Sequence, residues 1–275
     1  MTEEVEWKEY NIHGDELNSN GGKEDKDFVF HLFDDPEDDP YETKEYVFSK
    51  LPDNCPNKTI LLRGHSEIQV STGLALWLGS EVMCQHLINH PGMVRGKNIL
   101  ELGSGMGLCG IVCHYLGASK VLMTDGDKDV LENLRHNVSL NLGGEDEEQK
   151  CKQDRIEGEI KYERISSSTV SCPQLIWGKG KNTDDFQKLH GLADVVIATD
   201  CVYTPQSLEP MWQTIHHLLK PDGIFTYVNR CLDDIDIDLV KATASRYSFG
   251  WEGPTDEGVY TFRRCGRKSI MSKEN

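Results

Sequence analysis

The segment Asn98-Ile-Leu-Glu101-Leu-Gly103-Ser104-Gly105-Met-Gly107 sets three glycines at alternate positions directly after a short apolar run. Glycine adopts positive φ without steric cost and lets the backbone approach a ligand closely. If the run is a strand and Gly107 opens a helix, the free N–H groups of the helix N-terminus face that ligand. Asp125 stands 22 residues after Gly103, at the end of the next apolar run. A carboxylate there accepts bonds from ribose hydroxyls. Glu101 lies inside the first strand. A second constellation, Asp200-Cys-Val-Tyr203, follows the apolar run ADVVIAT at 193–199. It combines a carboxylate that can orient an amine with a ring face and hydroxyl that can meet a cation.

Two cofactor chemistries compete for the glycines. Gly105-Met-Gly107-Leu-Cys-Gly110 matches the dinucleotide pattern G-x-G-x-x-G letter for letter, with Asp125 20 residues after Gly105. Spacing therefore does not decide, but charge and frame do. A carboxylate at Glu101 is badly placed beside a pyrophosphate and well placed to accept from an ammonium group. If Gly105 opened the turn, the strand would also end early, at Gly103-Ser104. The expected ligand is a nucleoside carrying a cationic amino-acid tail, which is the shape of S-adenosylmethionine.

The elements that must position these residues read as alternating strands and helices. Helical spacing runs over 74–90 and stops at Pro91-Gly92. Strands are expected at 98–102, 120–124, 159–165, 193–199 and 224–229. Helices are expected at 107–116, 128–140, 206–219 and 235–245, and a polar connection over 166–190. Strands at 249–252 and 259–263 would form a closing antiparallel hairpin. The pattern predicts an α/β, Rossmann-like, seven-stranded and mostly parallel sheet with helices on both faces. Before it, residues 28–71 read as a β-rich extension, with runs at 26–33 and within 44–71. Residues 1–27 read as a disordered acidic arm, 72–265 as the catalytic domain and 266–275 as a tail.

The net charge is −17, and residues 1–50 carry 16 acids against 5 bases. The other 30 acids and 24 bases follow, so the first 50 residues contribute −11 of the total. Such a balance argues against tight nucleic-acid binding. No window of about 18 apolar residues is present, so no membrane span is expected. The opening MTEEVEWKEYNIHGDE lacks the apolar core of a secretory leader. Nine cysteines without a C-x-x-C pair suit a reduced chain. No metal site is expected, because Cys109, Cys113 and His114 fit one apolar helix and lack a second ligand pair. The Asn57 and Asn137 sequons read as chance.

Taken together, these motifs resemble the class I, seven-β-strand methyltransferases, and within them the protein-lysine group known as methyltransferase family 16. The resemblance spans roughly residues 66–264. It rests on Glu101 to Gly107, Thr124-Asp125, Leu175-Ile-Trp177-Gly178, Asp200 to Tyr203, and Gly73-Leu-Ala-Leu-Trp77. It implies cofactor contacts at Trp77, Glu101, Gly103, Ser104, Gly105, Gly107, Asp125, Trp177 and Thr199. Asp200 and Tyr203 fall where the family positions its target side chain. The implied activity is methylation of lysine on a basic protein segment by a cytoplasmic, also nuclear, monomer. Two alternatives stay open here: another acceptor on the same fold, or a binding module without turnover. A plainer role for Asp200 is also open, as a cap for the helix that follows it. The acidic arm and the lysine-rich 166–190 connection depart from the family's pattern.

Overall fold

The structure is a computed structural model that describes residues 40–65, 71–143, 169–230 and 235–265. Its centre is three strands, β3 (Asn98–Leu102), β4 (Lys120–Thr124) and β6 (Ala193–Thr199). Their sequences NILEL, KVLMT and ADVVIAT are buried at nearly every position, as strands covered on both faces must be. The full order is β5-β4-β3-β6-β7-β9-β8. The other members are β5 (Val170–Ser171), β7 (Leu219–Val228), β8 (Phe249–Glu252) and β9 (Tyr260–Arg264). The pairings are parallel from β5 to β7, and the closing strands are antiparallel.

Helices α1 (Leu78–Asn89), α2 (Leu108–Tyr115) and α3 (Lys128–Leu142) bury their apolar stripes on one face. On the other face lie α4 (Lys181–His190), α5 (Leu208–Leu218) and α6 (Ile237–Arg246), and from α5 the fully buried Trp212 packs on Phe225, Phe249 and Phe262 of the sheet. Strand order reverses between β3 and β6. That switch point opens a crevice at the carboxyl ends of the strands, where ligands bind in such sheets. Both motifs of the sequence end there, Gly103 after β3 and Asp200 after β6.

The β-rich extension is a separate antiparallel pair, β1 (Tyr41–Val47) and β2 (Thr59–His65). α3 holds the free edge of β2 with a row of asparagines spaced four residues apart. Asn141 exchanges two hydrogen bonds with the backbone of Leu61, at 2.8 and 2.6 Å. Asn137 does the same with Arg63, at 2.8 and 3.0 Å, and Asn133 donates to Arg63 O at 2.8 Å. The amides thus supply the ladder bonds that a neighbouring strand would otherwise give. Asn137 also donates to Met106 O, at 3.1 Å, inside the glycine turn. It is fully buried, so its sequon offers no glycosylation site. Asn137→Ala takes the side-chain acceptor from Arg63 N and the side-chain donor from Met106 O. The expected loss is about 2–4 kcal/mol, read from urea unfolding, with weaker cofactor binding as the turn loosens.

Several boundaries differ from the sequence reading. The 166–190 connection holds β5 and α4, because Thr183 and Phe186 form a short buried stripe on an otherwise polar helix. The segment expected to be helical from residue 74 instead carries a 3₁₀ turn over Thr72–Leu74 and an extended Trp77, and α1 starts at Leu78. β7 begins at Leu219, where it pairs with Ala193 before its register shifts. The expected strands at 26–33 and 159–165, the acidic arm and the tail lie outside the described residues.

Candidate active site

The β3 strand ends at Leu102 and Gly103 takes φ +62, so the turn opens in the frame anticipated from Glu101. A side chain on Gly103 would place its Cβ 2.6 Å from Cys201 Cβ and 3.7 Å from the Trp177 ring. The glycine therefore brings together the turn, the Asp200 loop and Trp177. Gly105, at φ +51, sits under the carbonyl of Gly73. Gly107, at φ +92, is the N-cap of α2. Ser104 is buried and donates its N–H to Thr124 O at 2.9 Å. Asp125 accepts from Gly105 N at 3.3 Å and Asp127 N at 3.1 Å. Its outer face is partly exposed. Burial raises its pKa above the ordinary carboxylate value.

Glu101 is 3% exposed, and its Oε2 has no hydrogen-bond partner. Desolvation pushes its pKa up to about 7, although Ser104, Gly110 and Cys109 oppose that shift. The carboxylate lies against the first turn of α2. A Cβ at Gly110 would come within 2.8 Å of Oε2. This gives the third glycine of the G-x-G-x-x-G match a reason other than a dinucleotide: it makes room for an acid. A buried acid with an open oxygen calls for a cationic partner. The residues fit S-adenosylmethionine: Glu101 for the amino-acid tail, the glycine turn for close approach, and Asp125 for ribose hydroxyls.

Asp200 is 2% exposed and takes φ +45, a strained conformation for a residue other than glycine. Its Oδ2 accepts from Gly79 N at 2.6 Å, in the first turn of α1, and its Oδ1 accepts from Arg230 N at 2.6 Å. Asp200 is thus a helix cap, but for α1, 121 residues away in sequence, and not for the helix that follows it. Gly79 has to be glycine, because a Cβ there would collide with the Asp200 carboxylate. Thr199 is buried and its hydroxyl bonds that of Ser80 at 3.1 Å.

Tyr203 remains 39% exposed. Desolvation raises its pKa, and a bond with the Thr72 side chain works against that. Trp77 donates its indole N–H to Thr72 O at 2.8 Å. The segment 71–77 therefore links the glycine turn, through Gly73, to Tyr203. Cys201 is buried and its thiol pKa is raised by burial, which suits packing and not nucleophilic attack. Cys109 and Cys113 are core residues of α2, whereas the His114 ring bonds Thr169 at 3.2 Å. Gly79, Gly110 and Arg230 were not singled out for the site from sequence. Gly110 alone carried a signal, as the last glycine of the pattern.

The sequence profile of the lysine methyltransferase family matches residues 56–242. A protein N-terminal and lysine N-methyltransferase of Cryptococcus neoformans is 32% identical over 222 residues, covering 77% of this chain and 67% of its own. A mouse protein-lysine methyltransferase is 30% identical over 174 residues, covering 61% of this chain and 62% of its own. Among solved structures, a Thermus thermophilus 16S rRNA methyltransferase shares the fold at TM-score 0.52 and 12% identity. The likeness covers 84% of this chain and 52% of that one. The chain belongs to the lysine methyltransferase family and is an S-adenosylmethionine-dependent protein-lysine methyltransferase of Rossmann-like fold.

Proposed function

We propose that the acceptor is the ε-amine of a lysine in a basic protein segment, held between Asp200 and Tyr203. The observation behind this reading is their placement. A buried carboxylate fixed by two backbone N–H groups and a half-exposed ring stand at the switch point, joined to the glycine turn through Cys201 and Gly103. When bound, S-adenosylmethionine supplies an electrophilic methyl group on a sulfonium.

Glu101 holds the cationic tail and Asp125 the ribose, while Trp77, Trp177, Gly103, Ser104, Gly105, Gly107 and Thr199 line the cofactor side. A free lysine amine has a pKa of about 10.4 and must lose its proton before it attacks. A carboxylate alone favours the charged form, so Asp200 orients and anchors. The proton leaves to solvent, helped by burial and by the positive charge nearby. Tyr203 offers its face to an alkylammonium and its hydroxyl to the acceptor. In-line alignment of the reacting atoms then lowers the barrier by several kcal/mol.

The chain is further proposed to act as a monomer on protein, not nucleic acid, in the cytoplasm and nucleus. Its charge of −17 supports a basic partner. Tyr203→Phe and Tyr203→Ala test the placement in labelled-methyl transfer. Phenylalanine keeps the ring and should lose roughly tenfold in turnover, alanine roughly a hundredfold. Unchanged cofactor affinity is expected in both. Wild-type turnover by Tyr203→Ala would remove Tyr203 from the acceptor site.

A further inference from the structure

Two hydroxyls meet where the first turn of α1 lies against the end of β6. Ser80 of α1 and Thr199, the last residue of β6, hold their side-chain oxygens 3.1 Å apart. The neighbouring bond fixes this contact: Gly79 N–H lies 2.6 Å from Asp200 Oδ2. Thr199 is buried and Ser80 is partly exposed, so the pair borders the crevice at the carboxyl ends of the strands.

Thr199 shares a face of the sheet with Glu101. Glu101 is in register with Ile197 of β6, and side chains two residues apart on a strand point the same way. Strand spacings put the Cα atoms of Glu101 and Thr199 roughly 8 Å apart. The first turn of α2 lies beside both groups. Cys109 Sγ donates to Ser80 O at 3.5 Å, and a Cβ on the next residue, Gly110, would lie 2.8 Å from Glu101 Oε2. Val195 and Ile197 precede Thr199 on the same face and are core residues. Polarity on that face of β6 begins at the residue that borders the crevice.

A methionine tail carries its ammonium and its carboxylate on one carbon, so their partners must be neighbours. Glu101 is the charged acceptor for the ammonium. The carboxylate needs donors. Two hydroxyls bring two protons and bond each other with one, which leaves a proton to donate outward.

Resting on the placement of the tail against Glu101, we propose that Ser80 and Thr199 form the carboxylate subsite of the cofactor, their hydroxyl pair donating to the α-carboxylate of S-adenosylmethionine. The pair thereby selects an amino-acid tail over a bare aminopropyl tail.

The test is calorimetric titration of the full chain with two ligands, read as binding and not as turnover. One is S-adenosylmethionine. The other is its decarboxylated form, which keeps the sulfonium and a terminal ammonium. Wild type should bind the decarboxylated form about tenfold or more weakly. Ser80→Ala should lose about tenfold in affinity for S-adenosylmethionine and less than about twofold for the decarboxylated form. Alanine is a stronger helix former than serine, so this variant should melt no lower than wild type. Thr199→Val keeps the side chain's shape and should repeat the pattern, and it decides if Ser80→Ala fails to fold. Glu101→Gln should weaken both ligands alike. Equal loss for the two ligands, or no loss, in the folded hydroxyl variants would overturn the proposal, leaving the pair as a pin between α1 and β6. Equal wild-type affinity for the two ligands would overturn it as well. A Glu101→Gln variant that binds both ligands like wild type would instead overturn the placement of the tail, and this proposal with it.

Discussion

Glu101→Gln is expected to weaken S-adenosylmethionine binding at pH 8 by about a hundredfold or more, and at the same time to make the cofactor-free protein more stable. Both effects follow from one buried carboxylate with an unpaired oxygen. Its pKa stands near 7 in the fold against an ordinary 4.5. The raised value means that the folded state holds the proton more tightly than the unfolded chain does. Its contribution to stability is therefore full below about pH 4.5 and is lost as pH rises through about 7. At about 1.36 kcal/mol per pH unit, the ionised carboxylate costs the empty fold about 3 kcal/mol at pH 8.

Glutamine lacks this penalty. The difference in stability between variant and wild type should grow from small at pH 5 to about 3 kcal/mol at pH 8, or roughly 6–12 °C in melting temperature. Cofactor binding runs in the opposite direction. The ammonium group needs the ionised acid, so wild-type affinity should fall by up to about tenfold per pH unit below 7. Calorimetric titration and thermal melts across pH 5–8 check both limbs. Unchanged binding by Glu101→Gln would mean that the acid does not face the cofactor.

Asp200→Ala should abolish methyl transfer, by about a thousandfold, with cofactor affinity close to wild type. It should also destabilise the fold, because Gly79 N and Arg230 N lose their acceptor inside the protein. At about 1–3 kcal/mol for each stranded group, the loss is roughly 2–6 kcal/mol. Asp200→Asn separates the two roles. The amide oxygen still caps one N–H, so part of the stability returns, but the charge that anchors the amine is gone. Stability recovered without turnover is the expected pattern in urea melts and transfer assays. Full turnover in Asp200→Asn would show that the residue serves only α1.

The divide between what was legible in the sequence and what was not follows the range of the interactions. The runs at 98–102, 120–124 and 193–199 matched their strands end to end, because burial on both faces leaves a continuous apolar signature. Glu101 stood out for a local reason, as a lone acid in such a run. α4 was hidden because a single large buried side chain, Phe186, anchors it. The capping of α1 by Asp200 spans 121 residues, beyond any local pattern. The asparagine row on α3 reads as a neutral helical surface until β2 is laid against it. Gly79 carried no signal in the sequence, and Gly110 read only as the last glycine of a dinucleotide pattern. Their purpose is the nearby carboxylate, visible only in three dimensions.

The most direct measurement is methyl transfer from deuterated S-adenosylmethionine into a cell lysate by the full chain, with the modified atom located by tandem mass spectrometry. The account predicts label on lysine ε-nitrogens of a small number of proteins, lost with Glu101→Gln and with Asp200→Ala. Label on another side chain or on a small molecule, or label that survives Asp200→Ala, would contradict it.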